Sequence, residues 1–141
     1  MSKIRTLIVD DEPLALQGLK IRLEQFDDID IVASASNGRE AVKKIRSERP
    51  DLVFLDIQMP GMNGFDVVKT IANEELPIII FATAFDNYAI QAFDTHATDY
   101  LLKPIEEDRL EQAILKVREQ ISEHIAIEQN GKLINLIRSL D

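Results

Sequence analysis

Three carboxylates, one hydroxyl and one ammonium stand out in this sequence by where they fall. Asp10 and Asp11, Asp56, Thr83 and Lys103 each sit at the end of a short apolar run: Leu7-Ile8-Val9, Val53-Phe54-Leu55, Ile78 through Ala82, and Tyr100-Leu101-Leu102. Three carboxylates gathered at one point repel one another and tend to hold a proton unless a cation neutralises them, and hard oxygen donors with waters suit magnesium. An aspartate beside such an ion can act as a nucleophile toward phosphorus, forming an acyl phosphate, because metal and ammonium offset the charge that builds on the transferring oxygens. In that chemistry Asp56 takes the phosphoryl group, Lys103 supplies the ammonium and Thr83 bonds a phosphoryl oxygen. Each residue also has a plain structural explanation. Acidic residues open turns and helices, Thr83 could satisfy a backbone donor, and Lys103 could simply be solvated. The chemical reading requires elements that bring all five together.

The pattern along the chain supplies such elements. Arg5 to Val9 reads as a first strand, closed by Asp10-Asp11-Glu12, and Pro13 suits the first turn of the helix that follows. Leu16, Leu19, Leu23 and Phe26 mark the buried stripe of that helix. Ile29 to Ala35 alternates as a second strand, and a helix with Ala41, Val42 and Ile45 follows Asn37-Gly38. The Val53-Phe54-Leu55 strand is followed by a turn through Gly61 and Gly64 and a short helix with Val67, Val68 and Ile71. Ile78 to Ala82 is the most apolar run and reads as a central strand. A helix through Tyr88, Ala92 and Phe93 leads to the Tyr100 strand, and Leu110, Ala113, Ile114, Val117 and Ile121 form one stripe of a last helix. Five βα units thus account for the chain to about Ile121. In a right-handed, doubly wound parallel sheet all strand ends face one edge, so the five polar residues converge there.

Bulk properties narrow the function. The 141 residues fit one ordinary domain, and 45% hydrophobic content supports a real core. A formal net charge of -9 makes this chain by itself a poor non-specific ligand for nucleic acid or anionic lipid. There is no cysteine, hence no disulfide framework or thiolate chemistry. The simplest expectation is a soluble cytoplasmic protein with no membrane role. The tail, residues 122–141, departs from the βα pattern: Asn130-Gly131 is a strong short hairpin signal between Ile125-Ala126-Ile127 and Leu133 to Ile137, so a β-hairpin-like extension is expected. The alternative is that the last helix runs on, since Gly131 costs a helix only about 1 kcal/mol.

With these motifs in place the chain resembles the receiver domain of two-component response regulators. The resemblance rests on Leu7 to Glu12, Leu55-Asp56-Ile57-Gln58-Met59-Pro60-Gly61-Met62-Asn63-Gly64, Thr83-Ala84 and Leu102-Lys103-Pro104, and it covers nearly everything from Lys3 to about Glu119. It implies a flavodoxin-like (βα)5 sheet of strand order 2-1-3-4-5 over residues 1–121. It implies that a histidine kinase phosphorylates Asp56, and that Asp11, Asp56 and the Gln58 backbone carbonyl ligate magnesium or manganese while Asp10 acts through water. Lys103 and Thr83 become phosphoryl contacts, Tyr100 an aromatic switch coupled to Thr83, and Pro104 the second residue of a cis peptide bond. Gln58 and Phe85, flanking the phosphoryl site, are expected to tune its hydrolysis. A homodimer is expected through the Tyr88-to-Glu119 face on phosphorylation.

Thr83 to Phe93 and Ala97 to Ile105 are similar, more narrowly, to receivers attached to LytTR-type DNA-binding domains. On that resemblance residues 122–141 are a linker and the truncated opening of such a domain, and DNA is bound only through the part that is missing. Two other readings compete. A haloacid-dehalogenase-like phosphatase also uses a strand-end Asp with magnesium and lysine, but wants a second Asp two positions later, where this chain has Gln58. A phosphorylation-independent interaction module leaves the five polar residues without a shared purpose. His96 and His124 lack metal-like spacing and read as surface residues.

Overall fold

The computed structural model describes residues 3–140. Five strands, β1 (Ile4–Val9), β2 (Ile29–Ala35), β3 (Leu52–Leu55), β4 (Ile78–Thr83) and β5 (Asp99–Leu102), alternate with five helices, α1 (Pro13–Leu23), α2 (Gly38–Glu48), α3 (Gly64–Thr70), α4 (Ala89–Asp94) and α5 (Glu107–Ser139). All strand pairs are parallel and the order is β2-β1-β3-β4-β5, the flavodoxin-like arrangement.

The period-2 alternation of the strands divides the core into two layers. Leu7, Val9, Val53, Leu55, Ile79 and Phe81 point to one face, where Ala41, Val42 and Ile45 of α2 and Phe65, Val67 and Val68 of α3 cover them. Ile8, Leu52, Phe54, Ile80 and Leu101 point to the other, covered by Leu19 and Leu23 of α1 and Leu110, Ala113, Ile114 and Val117 of α5. Strands buried on both faces must be apolar at every position, which is why β3 and β4 read as continuous runs. Chain reversals are fixed by local chemistry: Asn37 accepts from the Glu40 amide to start α2, and Asn63 with Asp66 forms a reciprocal capping box for α3.

Gly64 holds the site-forming edge together. A Cβ there would lie 2.5 Å from the Asp56 carbonyl oxygen and 3.0 Å from Ile57 Cα, so only glycine lets α3 start against the end of β3. Its amide donates to the Ile57 carbonyl at 2.9 Å. Gly64→Ala should therefore destabilise the fold by about 1–3 kcal/mol, as overpacking against backbone does, and should displace the Asp56 loop. Urea unfolding measures the first; a stability within a few tenths of a kcal/mol of the parent would refute the close approach.

The hairpin expected about Asn130-Gly131 is not formed. Helix α5 runs uninterrupted from Glu107 to Ser139, 33 residues, through both positions. The physical reason is propagation: once a packed helix exists through Val117, each further residue adds one backbone bond, and one interior glycine costs too little to stop it. A two-stranded hairpin would have had to stand alone, which is marginal in water.

Candidate functional site

The C-terminal edge of the sheet gathers residues from four strand ends. Asp10 follows β1, Asp56 follows β3, Thr83 ends β4 and Lys103 follows β5. Backbone bonds lock these ends in register: the Asp56 amide donates to the Val9 carbonyl at 3.1 Å and the Lys103 amide to the Thr83 carbonyl at 2.9 Å. Carboxylate oxygens of Asp10, Asp11 and Asp56 all lie within 4.8 Å of one another. Asp10, Asp56 and Thr83 are buried, and Asp11 is the most open of the three acids.

The lysine crosses to the acids. Lys103 Nζ donates to Asp10 Oδ2 and stands 3.6 Å from Asp56 Oδ2. Asp10 also accepts from the Glu12 amide at 3.0 Å, which ties the acidic loop down. Burial works against the Lys103 ammonium, but its bond to Asp10 and the charges of Asp56, Asp10 and Glu12 outweigh it and hold the pKa above the usual lysine value. Asp56 shows the opposite balance. Burial pushes its carboxyl up to about 6; the Lys103 charge and the Ile57 amide oppose this, and Asp10 and Asp11 add to it. One ammonium does not neutralise three carboxylates, and the remaining negative charge in an oxygen-only donor set fits a hard divalent cation.

The loop after β4 is held at two points. Thr83 Oγ1 accepts from the Phe85 amide at 3.4 Å, and the Tyr100 hydroxyl donates to the Phe85 carbonyl. The Phe85 backbone thus sits between Thr83 and Tyr100, the two residues whose coupling the receiver resemblance implies. Phe85 itself is 42% exposed at the mouth of the site. The Lys103-Pro104 bond is cis. The Gln58 side chain is exposed and its Nε2 donates to the Tyr88 hydroxyl at 3.0 Å.

Tyr88 is a site residue that the sequence reading passed over as the start of a helix. Its ring packs edge-on against Phe65 at 5.9 Å and Phe85 at 6.4 Å, while its hydroxyl accepts from Gln58. The only signal was a polar-tipped aromatic next to a strand-end loop. A second unanticipated group is the ion cluster of Asp99 with Arg109 and Lys116, which clamps β5 to α5; the Asp99 side chain is only 6% exposed. Burial there raises the Asp99 carboxyl, but the Arg109 hydrogen bond, the Tyr100 amide and both cations bring it below the usual carboxylate range. His96 lies on the surface, as its spacing suggested, and His124 Nε2 lies 3.0 Å from Glu128 Oε1 along α5.

Comparison with known proteins agrees with this geometry. Residues 6–115 match the family described as the response regulator receiver domain. The transcriptional regulatory protein BtsR of Salmonella typhi is 52% identical over 119 residues, 84% of this chain and 50% of that protein. BtsR of Escherichia coli K12 is 50% identical over the same share of each. The chain therefore spans about half the length of the curated relatives it matches. Among solved structures, the response regulatory domain of mrkE from Klebsiella pneumoniae superposes with a TM-score of 0.78 at 32% identity, covering 84% of this chain and 98% of that one. The receiver domain of AraT from Geobacillus stearothermophilus gives 0.77 at 31% identity, covering 85% and 96%. By its fold, its strand-edge acids and these matches, the chain belongs to the response regulator receiver family.

Proposed function

We propose that this chain is a phosphorylation-controlled switch in which Asp56 accepts a phosphoryl group from a histidine kinase and passes the change to a transcriptional output. The observation that carries the proposal is the clustering of Asp10, Asp11 and Asp56 at one sheet edge, with the Lys103 ammonium on Asp10 and 3.6 Å from Asp56. An Asp56 carboxylate oxygen attacks phosphorus, the P–N bond to the kinase histidine breaks, and the imidazole leaves with the electron pair. Lys103, freed in part from Asp10, bonds an oxygen of the transferred group. When bound, magnesium or manganese supplies charge neutralisation on the phosphoryl oxygens; Asp10, Asp11, Asp56 and the Gln58 carbonyl are the groups to hold it.

The readout follows from Thr83. The Thr83 hydroxyl donates to a phosphoryl oxygen, and moving toward it draws Oγ1 away from the Phe85 amide, whose bond to Oγ1 is already long at 3.4 Å; once that bond is lost the Phe85 backbone is free to move with Tyr100. Moving such a population from 1:99 to 99:1 takes about 5.5 kcal/mol of differential stabilisation, within reach of a few charge-assisted bonds. The outward face of α4, β5 and α5, within the Tyr88-to-Glu119 stretch, then serves for dimerisation; each of its three elements carries an exposed large apolar side chain, Ile90, Leu102 and Leu115. The relatives' printed name, transcriptional regulatory protein, supports a DNA-binding output, and the resemblance of residues 83–105 favours a LytTR-type domain attached after α5, in a cytoplasmic regulator. Among the described residues no helix is long and apolar enough to cross a membrane. Beryllium fluoride with magnesium, followed by NMR, tests the switch. Thr83, Phe85 and Tyr100 signals should shift in the parent and stay still in Asp56→Ala; shifts confined to the acidic loop would sink it.

Gln58 and Tyr88 set the lifetime of the phosphorylated state. Their hydrogen bond joins the loop after β3 to the loop after β4 and holds the Gln58 amide on the Tyr88 hydroxyl. Tyr88→Phe removes the acceptor and keeps the ring, so water and the released amide gain access, and decay of the acyl phosphate should quicken by about two- to fivefold, the worth of one modest hydrogen bond. In a Gln58→Ala background the same change should do little, because the bond is already gone. Equal effects of Tyr88→Phe in both backgrounds would show that the bond does not matter.

A further inference from the structure

Two glycines sit where a side chain would collide with backbone, and both face the loop between β3 and α3. One is Gly64, against the Asp56 carbonyl. The other is Gly38, where a Cβ would lie 2.5 Å from the Met62 carbonyl oxygen and 2.7 Å from Met62 Cβ and Cγ. The remaining glycines have no such neighbour: Gly18 faces only the side-chain tip of Arg22, and Gly61 and Gly131 face open space. Backbone conformation does not account for Gly38, because among the described residues only Gly61 is a glycine with positive φ. Helix propensity does not either, since it favours alanine over glycine in α2. What Gly38 provides is close approach, which lets the N-terminus of α2 touch the loop from Ile57 to Asn63.

We propose, resting on the metal reading above, that Gly38 is a positioning residue for the cation site: through Met62 it sets how the Gln58 segment stands relative to Asp10 and Asp11. The site has two arms. On one, the Asp10 amide donates to the Ala35 carbonyl at 3.1 Å, which ties the acidic loop to the end of β2. Ser36 Oγ then donates to Glu40 Oε2 at 3.1 Å and the Glu40 amide to Asn37 Oδ1 at 2.8 Å, fixing the turn that places Gly38. On the other arm, Gln58 lies between the buried Ile57 and Met59, and the loop closes where the Gly64 amide meets the Ile57 carbonyl. Gly38 against Met62 joins the two arms. A methyl group at Gly38 meets a backbone oxygen rather than a flexible tip, so it must wedge the loop away from α2. That changes the spacing between the two acids and the Gln58 carbonyl, a cation ligand on this reading. Asp56, Thr83 and Lys103 are held instead by bonds between neighbouring strand ends and keep their places.

Titration of the unphosphorylated protein with magnesium chloride, followed by its amide NMR signals, tests this apart from any phosphoryl transfer. Gly38→Ala should weaken magnesium binding by about tenfold, the scale of losing an outer support of a metal ligand, and should shift the Gln58 and Met59 signals before metal is added. With acetyl phosphate, the half-saturating magnesium concentration should rise by the same factor while the rate at saturating magnesium stays within about twofold of the parent. Val42→Ala, on the buried face of the same helix, is the control: it should lower stability and leave magnesium affinity unchanged. If Gly38→Ala does not fold, Met62→Ala decides, because it slackens the same contact without adding bulk and should also weaken magnesium binding. Parent-like affinity in the deciding variant overturns the positioning role and leaves the cation site standing. An equal loss in Val42→Ala overturns it as well, by reducing the effect to stability. A parent protein that binds no magnesium overturns the metal reading, and this role with it.

Discussion

Replacing Lys103 with methionine should slow phosphorylation of Asp56 by a small-molecule donor about 10²- to 10³-fold, the cost of removing one charged group aimed at developing charge. Methionine keeps much of the length of the side chain and removes the ammonium that bonds Asp10 and faces Asp56. The loss acts twice. The transferring oxygens lose a donor, and the nucleophile loses the charge that opposes its protonation, so the Asp56 carboxyl, already pushed up to about 6, should rise further. Comparing initial rates at pH 7 and pH 8.5 separates the two: the part of the defect due to protonation disappears at the higher pH and the part due to lost phosphoryl contact stays. A variant with parent-like rates at both values would remove Lys103 from the chemistry.

Asp56→Asn should stabilise the metal-free protein at pH 8. The folded-state value of about 6 against the ordinary 3.8 means that the native state holds a proton which the unfolded chain has released between those limits. Stability is thus favoured below pH 4 and falls as pH rises toward 6. A difference of about two pKa units corresponds to about 3 kcal/mol at full effect. Asparagine mimics the neutral acid, so the gain from Asp56→Asn should be near zero at pH 4, grow through pH 6 and level off above it. Millimolar magnesium should shrink the difference by stabilising only the parent, through its binding to the folded state. Chemical denaturation at pH 4.5 and pH 8, with and without magnesium, gives the four numbers. A variant less stable than the parent at pH 8 without metal would mean that Lys103 already neutralises the site. A residue held at a cost to stability is what a site built to receive a cation and a phosphoryl group requires.

Most of the receiver could be read before its structure was known, because its signals are local and repeated. Strands β3 and β4 are apolar at every position, as doubly covered strands must be, and the parallel order follows from right-handed crossovers. The site was legible for the same reason: when strand ends share an edge, residues distant in sequence such as Asp10 and Lys103 become neighbours by topology alone. Tyr88 and its bond to Gln58 were not legible, since they join two loops whose paths no periodicity specifies. The tail misled for a different reason. Leu133-Ile134-Asn135-Leu136-Ile137 satisfies both a two-residue and a 3.6-residue period, and Asn130-Gly131 tipped the balance toward a turn. What decided it was the 15 or so residues before it, already helical and anchored by Leu110 to Val117.

Intact-mass measurement after incubation with acetyl phosphate and magnesium tests whether Asp56 is the phosphoacceptor. One phosphoryl group should add to the parent protein, none should add when magnesium is removed by chelation beforehand, and none should add to Asp56→Ala. An unmodified parent protein, or labelling that survives in Asp56→Ala, would contradict it.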